Sequence, residues 1–416
     1  MVKIEVLSGS ESIGGNFIRI TDGDKRIVFD HGMRFDLFKR YYSRLVTPSG
    51  IGEMRDLEIL PKEDWYDGVS DIYVTHLHFD HLGLLSNIPR ELTVHLPSES
   101  IYEEMEKRWE RSPSWLSLVP RRYYVKVEGV YPLQLDRNNV MPIPVSHSAF
   151  PSFAYLYFGS DETVLYTGDF RVESFLDREE FVRVGGGEGM LDYLEDNRDV
   201  RVDVLIIEGT NFGFSRVPIA PSDCSRIISK VMSSVRGVVA TTHYLDLEFV
   251  GALVRTAVEH RLRPFVASER LATVLSTVGF SESGQIRAIS DFVSALVGFE
   301  TVLLEEVLED KFLLLTSYYD IIDIIRSLRN YGGRLTDLVA IISEPEPPGE
   351  ELVEYDVIVR WLQLFGLQPY RIRASGHYYP YELKTILDII QPKKVIPVHT
   401  ERPEMLYALA TGSDVM

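Results

Sequence analysis

A chain of 416 residues, 45% hydrophobic and 25% charged, is globular in composition and long enough for two cores, since single cores stop growing near about 250 to 300 residues. Its formal charge of −19 excludes a surface coated in basic patches of the kind that grip a phosphate backbone, although a narrow basic channel is still allowed. No apolar run approaches the roughly 18 to 20 residues that cross a bilayer, and the single cysteine, Cys224, excludes a disulfide framework and a thiolate metal cage.

A cytoplasmic protein follows, with Cys224 as buried filler and any metal held by imidazole and carboxylate. From Met1 to about Thr210, short apolar or alternating runs between turn residues predict strands: Met1–Val6, Ile18–Ile20, Arg26–Phe29, Asp71–Val74, Thr93–Leu96, Phe153–Tyr157, Thr163–Tyr166 and Val202–Ile207. Helical spacing lies between them, for example Ile101–Trp109 after the capping-type Ser98 and Ser100. The region reads as mixed sheet covered by helices.

From about Asn211 to Tyr370 the rhythm changes. Strands such as Gly237–Ala240 alternate with helical segments such as Leu247–His260 and Tyr319–Tyr331, the pattern of a parallel sheet. The last stretch returns to strand, helix, strand at Tyr370–Arg373, Glu382–Ile390 and Lys394–Val398. The run Gly185-Gly186-Gly187-Glu188-Gly189 follows no clear strand and carries no Lys-Ser/Thr, so a flexible surface loop is expected rather than a phosphate cradle. Glu344-Pro345-Glu346-Pro347-Pro348 reads as a stiff acidic connector.

The chemistry concentrates in Thr75-His76-Leu77-His78-Phe79-Asp80-His81, directly after the strand Asp71–Val74. A strand-end loop projects alternate residues to one side, so His76 and His78 can converge on one ion while Asp80 and His81 face a neighbouring one. Imidazole and carboxylate suit zinc, and remote ligands are needed to complete such a site. Residues at other strand ends are the candidates: Asp30, His147, Asp169 and His399. His31 either approaches the site or faces outward. His95, inside a strand, and His260, at a helix end, are read as structural.

These segments resemble the motifs of metallo-β-lactamase fold hydrolases of the β-CASP subgroup, and the chain is similar over essentially its whole length to ribonuclease J and the archaeal cleavage-and-polyadenylation-type nucleases. Thr75 to Gly83 resembles the His-x-His-x-Asp-His signature, and Tyr166-Thr167-Gly168-Asp169-Phe170 the bridging-aspartate motif. Ile206 to Asn211, Ala374 to His377 and Ile396 to Glu401 resemble the subgroup's motifs A, B and C.

The resemblance implies two zinc ions per chain, with His76, His78 and His147 on one, Asp80, His81 and His399 on the other, and Asp169 bridging them. It implies a catalytic set of Asp80, His377 as proton donor and Glu208 beside it. Asp30 is expected to accept a hydrogen bond from a ligand imidazole rather than to ligate. Ser375 matches a phosphate-binding position, and Arg373 is either a phosphate contact or a solvated strand-edge arginine. The segment Thr241 to Asp246 departs from the family's Phe-Ala-Ser-Asn-type run, so a 5′-monophosphate pocket is not expected and endonuclease action stays open.

The expected fold is α/β: a four-layer αβ/βα sandwich formed by residues 1–210 and 371–416, with a β-CASP domain at 211–370. The chain ends soon after His399, so the extra C-terminal domain of bacterial ribonuclease J is expected to be missing. The expected activity is hydrolysis of RNA phosphodiester bonds by a metal-bridged hydroxide, with the histidine at position 399 similar to the RNA-processing branch. Two alternatives stand beside it: a small-molecule metallo-hydrolase of the thioesterase or lactonase type, and a non-cutting RNA-processing paralogue.

Overall fold

The computed structural model describes residues 1–43, 45–109, 115–120, 123–215, 217–280, 284–330, 335–343 and 355–412. The acidic connector expected at Glu344–Pro348 lies outside them. Two compact units result, Met1–Val217 with Gly376–Met416, and Pro218–Ser375.

The unit boundaries fall a few residues after the expected 210 and 370, for local reasons. Beyond Thr210 the Asn211 amide donates to the carbonyls of His377 and Tyr378, which keeps this turn in the first unit. Ile372 still donates to Ile342 in the parallel sheet of the second.

The first unit holds two sheets. Strands β1 (Val2–Ser8), β2 (Phe17–Asp22), β3 (Lys25–Phe29), β4 (Asp71–Tyr73), β5 (Thr93–Leu96) and β6 (Lys126–Gly129) pair in sequence order, antiparallel as far as β3 and parallel beyond it. In the second sheet, β7 (Val140–Pro144), β8 (Phe153–Phe158) and β9 (Thr163–Tyr166) are antiparallel neighbours, and β10 (Val204–Glu208) pairs parallel with β9. The last strand of the chain, Lys394–Val398, closes that sheet beside β10.

Alternation along the strands decides what each face touches. Ile18, Ile20, Ile27, Phe29 and Tyr73 of the first sheet form one core with Tyr155, Tyr157, Val164, Tyr166 and Ile206 of the second. Phe29 lies at its centre, stacked on Tyr155 with centroids 5.7 Å apart and on Tyr166 at 5.6 Å. The outer face of the second sheet packs Leu156, Leu165 and Ile207 against Met190, Leu194, Leu383, Ile386 and Leu406 from helices Met190–Asp196, Leu383–Ile390 and Pro403–Thr411.

Val28, Ile72 and Val94 point to the opposite face of the first sheet and are equally buried. Helix Glu99–Trp109 lies along that sheet's edge, where Glu99 accepts from the Gly129 amide at 2.5 Å. Ser98 caps it by accepting from Ile101, as its position predicts. The layers therefore run helix, sheet, sheet, helix, as expected.

The glycine run corrects the sequence reading. Gly185 ends helix Arg178–Gly185, Gly186 closes it in the left-handed region at φ 76°, and Gly189 precedes helix Met190–Asp196. Gly185 and Gly187 are buried, and a Cβ on Gly187 would come within 2.7 Å of Leu133. The segment is a packed interhelical turn that needs glycine for close approach, and not a surface loop.

The second unit carries β11 (Gly237–Thr241), β12 (Arg263–Val266), β13 (Arg287–Ile289), β14 (Thr301–Val302), β15 (Phe312–Thr316), β16 (Leu338–Ile342) and β17 (Gln368–Arg371). All seven are parallel, in the order β14-β13-β12-β15-β11-β16-β17. Helices cover this sheet, including Leu247–Glu259 and Ile321–Asn330, so its central strands are apolar throughout. With the last strand, Lys394–Val398, numbered β18, the chain has eighteen strands among the described residues. No helix among those residues is long and apolar enough to cross a membrane.

Because Phe29 fills the space between both sheets of the first unit, Phe29→Ala is expected to cost about 3 to 5 kcal/mol. Urea unfolding of the purified variant measures that difference.

Candidate metal centre

The carboxyl ends of β3, β4, β7, β9, β10 and β18 deliver the polar side chains of the first unit. Asp30 follows β3, His76 to His81 follow β4, His147 follows β7, Asp169 follows β9, Glu208 ends β10 and His399 follows β18. Two of these residues adopt left-handed backbone, Asp30 at φ 56° and His399 at φ 52°, each a strain of about 1 to 3 kcal/mol that its surroundings must hold.

The donor atoms converge. His76 Nε2 lies 3.1 Å from His78 Nδ1, and His147 Nε2 lies 3.4 Å from the same nitrogen. Asp169 Oδ2 lies 4.0 Å from both His76 Nε2 and His147 Nε2, and 3.1 Å from His81 Nε2. Asp80 Oδ2 is 3.9 Å from His81 Nε2 and 3.6 Å from His399 Nε2.

Two donors bound at about 2.0 to 2.2 Å to one zinc ion can be at most about 4.3 Å apart, and every separation above meets that limit. His76, Asp80 and His81 form a further set of the same kind, as do His81, Asp169 and His399. The seven residues expected as ligands are thus brought together, with Asp169 central. Asp169 Oδ1 is buried without a hydrogen-bond partner among the described residues, although His399 Nδ1 lies 3.0 Å away out of line. An unsatisfied carboxylate oxygen among imidazoles is what a cation site requires.

Outer contacts fix which nitrogen of His147 and of His81 faces inward. His147 Nδ1 lies 2.6 Å from the Gly376 carbonyl, which can only accept, so that nitrogen carries the proton and Nε2 is left to ligate. Gly376 must lack a side chain, since a Cβ there would fall 2.9 Å from His147 Cε1. His81 Nδ1 donates in the same way to Asp30 Oδ2 at 2.7 Å.

The remaining bonds to Asp30 come from the Thr75 amide, the Thr75 hydroxyl and the Tyr166 phenol. Its oxygens are therefore taken up by donors, in the arrangement expected of a residue that supports a ligand rather than binding the ion.

Burial, followed by the other imidazoles, holds His76 well below its ordinary pKa, and burial likewise depresses His147. Burial opposes charge on Asp169, but His399, His81 and His377 outweigh it and hold the carboxyl well below its usual range. Neutral imidazole and ionised carboxylate are the forms that bind metal. Burial also works against a charged His81, yet Asp169, Asp30 and Asp80 raise its pKa well above the ordinary value. A cation at Nε2 takes the place of that proton.

Glu208 is buried, with Oε1 3.1 Å from His377 Nδ1 and Oε2 accepting the Thr210 amide at 2.8 Å. His377 Nδ1 is 3.7 Å from Asp169 Oδ2. The carboxylate holds one ring nitrogen and leaves the other to exchange a proton. Arg373 and Ser375, in the second unit, follow β17 in the chain.

Sequence reasoning missed three side chains in the support of this cluster. Arg171 is buried and donates from Nε to Ser146 Oγ and from Nη2 to the His147 carbonyl, both at 2.8 Å. Tyr166 donates to Asp30, and the Asn16 amide donates in turn to Tyr166. Arg171 stands two residues after Asp169, the one signal in the sequence that could have singled it out.

The other histidines divide clearly. His95 stacks on Tyr73 at 4.3 Å and bonds Asp71 at 2.8 Å, and His260 bonds Ser229 at 2.8 Å, both structural as expected. His31 neither reaches the cluster's donor atoms nor faces outward: it is fully buried, and its ring nitrogens find no hydrogen-bond partner among the described residues.

Burial pushes the His31 pKa down to about 3. The unfolded chain takes up a proton below about pH 6.5 that the folded protein refuses until about pH 3, so acid destabilises the fold across that window. Between pH 7.5 and 5.5, His31→Phe is expected to gain about 1.4 kcal/mol relative to wild type. Urea midpoints at the two pH values check this.

Two family models match the chain: the metallo-beta-lactamase superfamily over residues 14–209, and the Zn-dependent metallo-hydrolase RNA specificity domain over residues 368–411. Ribonuclease J of Helicobacter pylori strain J99 is 23% identical, the alignment covering 96% of this chain and 56% of the relative. Ribonuclease J of Mycoplasma genitalium is 21% identical, with 96% and 68% covered. The corresponding enzyme of Synechocystis is 22% identical, with 96% and 60% covered. The chain thus spans little more than half the length of the Helicobacter relative. A crystal structure of a protein of unknown function from Enterococcus faecalis V583 shares the fold, with a TM-score of 0.71 at 18% identity over 96% of this chain and 94% of that one.

Proposed function

We propose that the chain, which matches the metallo-β-lactamase superfamily over residues 14–209 and the RNA specificity domain over residues 368–411, is a β-CASP, ribonuclease J-like member of that superfamily and a zinc-dependent ribonuclease that hydrolyses RNA phosphodiester bonds. The observation that carries the reading is the position of Asp169, one buried carboxylate within ligand distance of two sets of imidazoles. It supports two zinc ions per chain, with His76, His78 and His147 on the first, Asp80, His81 and His399 on the second, and Asp169 shared. A donor set of imidazole and carboxylate suits zinc.

When bound, a zinc pair supplies an activated water and positive charge against the negative charge that develops on phosphorus. The protein's own groups do the rest. Asp169, Asp80 and the five ligand histidines set the spacing and direction of attack. His377, held on Nδ1 by Glu208, gives a proton to the departing ribose oxygen. Asp30 keeps His81 aimed inward.

RNA is favoured as substrate because His377 and His399 both lie in the segment matched by the RNA-specificity family model, and because the relatives are ribonucleases J. In this reading residues 211–370 form the β-CASP domain, Ser375 and Arg373 contact substrate phosphate, and the enzyme works in the cytoplasm. The −19 charge motivates the competing reading, a small-molecule hydrolase with the same metal centre.

Incubation of zinc-loaded protein with end-labelled RNA tests the proposal. Cleavage is expected, falling about 10²- to 10⁴-fold in His377→Ala with zinc content unchanged. Intact RNA together with rapid hydrolysis of a thioester or lactone would overturn the assignment in favour of the competing one.

A further inference from the structure

The loop that carries His147 and the loop that carries Asp169 are joined by one buried side chain, Arg171. Its amide donates to the Ser146 carbonyl at 2.8 Å, in an isolated antiparallel bridge between the two loops. Its guanidinium adds two bonds to the same segment, from Nε to Ser146 Oγ and from Nη2 to the His147 carbonyl, both at 2.8 Å.

The two loops are not equally secure. On the Asp169 side, Phe170 sits in the outer core of the second sheet and stacks on Tyr378 at 5.1 Å. Its amide donates to Glu208 Oε1 at 3.4 Å, and its carbonyl accepts the Tyr378 amide at 2.7 Å. Asp169 is thereby anchored through its neighbour. The His147 loop spans residues 145–152 between β7 and β8, and the Val145 amide closes its base by donating to the Ser152 carbonyl at 3.0 Å. Gly376 holds the His147 ring on one side, but a bond to a ring sets its rotation and leaves its backbone free to shift. The grip of Arg171 on the Ser146 and His147 main chain supplies that second constraint.

The chemistry favours a guanidinium in this place. Nε and Nη2 share one edge of a rigid planar fork, and each meets a different acceptor, the side chain of one residue and the main chain of the next. A lysine ammonium carries the same charge at a single point on a flexible stem and lacks that pre-set pair. Tolerance at the site is also small. His147 Nε2 lies 4.0 Å from Asp169 Oδ2, near the limit of about 4.3 Å for two donors on one zinc ion, so a shift of about half an ångström takes one donor out of range.

We propose that Arg171 is a positioning residue that sets the separation of His147 from Asp169 by clamping one loop to the other, and so governs how tightly the ion at His76, His78 and His147 is held. This rests on the proposed reading of those residues as ligands. Asp80, His81 and His399 follow other strands, and Asp169 keeps its anchor at Phe170. Loss of the clamp therefore frees His147 and leaves the second ion's set in place.

The test uses the full zinc-loaded chain as wild type, Arg171→Lys and Arg171→Gln. Zinc content is followed by elemental analysis during titration with a chelator, and thermal unfolding is recorded alongside. Anomalous diffraction at the zinc edge from partly stripped crystals identifies the position that has emptied. The ion at His76, His78 and His147 is expected to leave both variants about 10- to 100-fold more readily than it leaves wild type. The ion at Asp80, His81 and His399 should keep its wild-type affinity. Arg171→Gln carries the test if Arg171→Lys fails to fold. Wild-type affinity at both positions in a folded variant would overturn the proposal, as would equal weakening of the two ions. A failure of the ligand reading shows in the wild type, as an empty position at His147, whereas a failure of the clamp shows only in the variants. No RNA enters the measurement, so it stands apart from which substrate is cut.

Discussion

A carboxylate buried as deeply as Asp169 is stable only in the company of positive charge, because desolvation of an unpaired ion costs several kcal/mol even after relaxation. Its neighbours are imidazoles, which burial drives toward neutrality at His76 and His147. The groups cannot all satisfy one another, and Asp169 Oδ1 shows the shortfall directly. Much of the first unit follows from that constraint. Strands from both sheets end at the cluster, two non-glycine residues accept left-handed backbone beside it, and a glycine at 376 clears the space for His147.

Support for the cluster is layered outward in a regular way. The inward nitrogens of His147 and His81 are fixed by a bond on the far side of the ring, to the Gly376 carbonyl for His147 and to Asp30 for His81. Asp30 is held in turn by Thr75 and Tyr166, while Arg171 grips the segment that carries His147 by donating to Ser146 Oγ and the His147 carbonyl. Pre-organisation of this kind lowers the reorganisation that metal binding or catalysis would otherwise demand. In the proposed reading, two divalent cations would more than offset Asp80 and Asp169 locally, so the negative charge of the whole chain would be no obstacle to an anionic substrate.

The candidate ligands were legible because their signal is local. Four of them fall within six residues after a strand, and His147, Asp169 and His399 each follow an apolar strand, where side chains are delivered to a sheet edge. Most strands were legible too, since alternation between two buried sheets leaves a clear pattern, and Thr93–Leu96 and Thr163–Tyr166 match their predicted ends. The supporting residues were not. Tyr166 reads as one more core aromatic in β9, and Asn16 as a turn residue, because their partners lie up to several hundred positions away in the chain. The glycine run at 185–189 misled for a related reason. Its function is close approach to Leu133 and Pro132, a contact no spacing rule encodes. Strand ends drifted where pairing decides them, as in β17, which begins at Gln368 opposite Val339.

The central claim is that one carboxylate joins two metal ions, and anomalous diffraction from crystals of the zinc-loaded protein at the zinc edge tests it most directly. Two peaks are predicted about 3.5 to 4 Å apart, one among His76, His78 and His147 and one among Asp80, His81 and His399, with Asp169 touching both. A single peak, or a pair of which Asp169 touches only one, would contradict it.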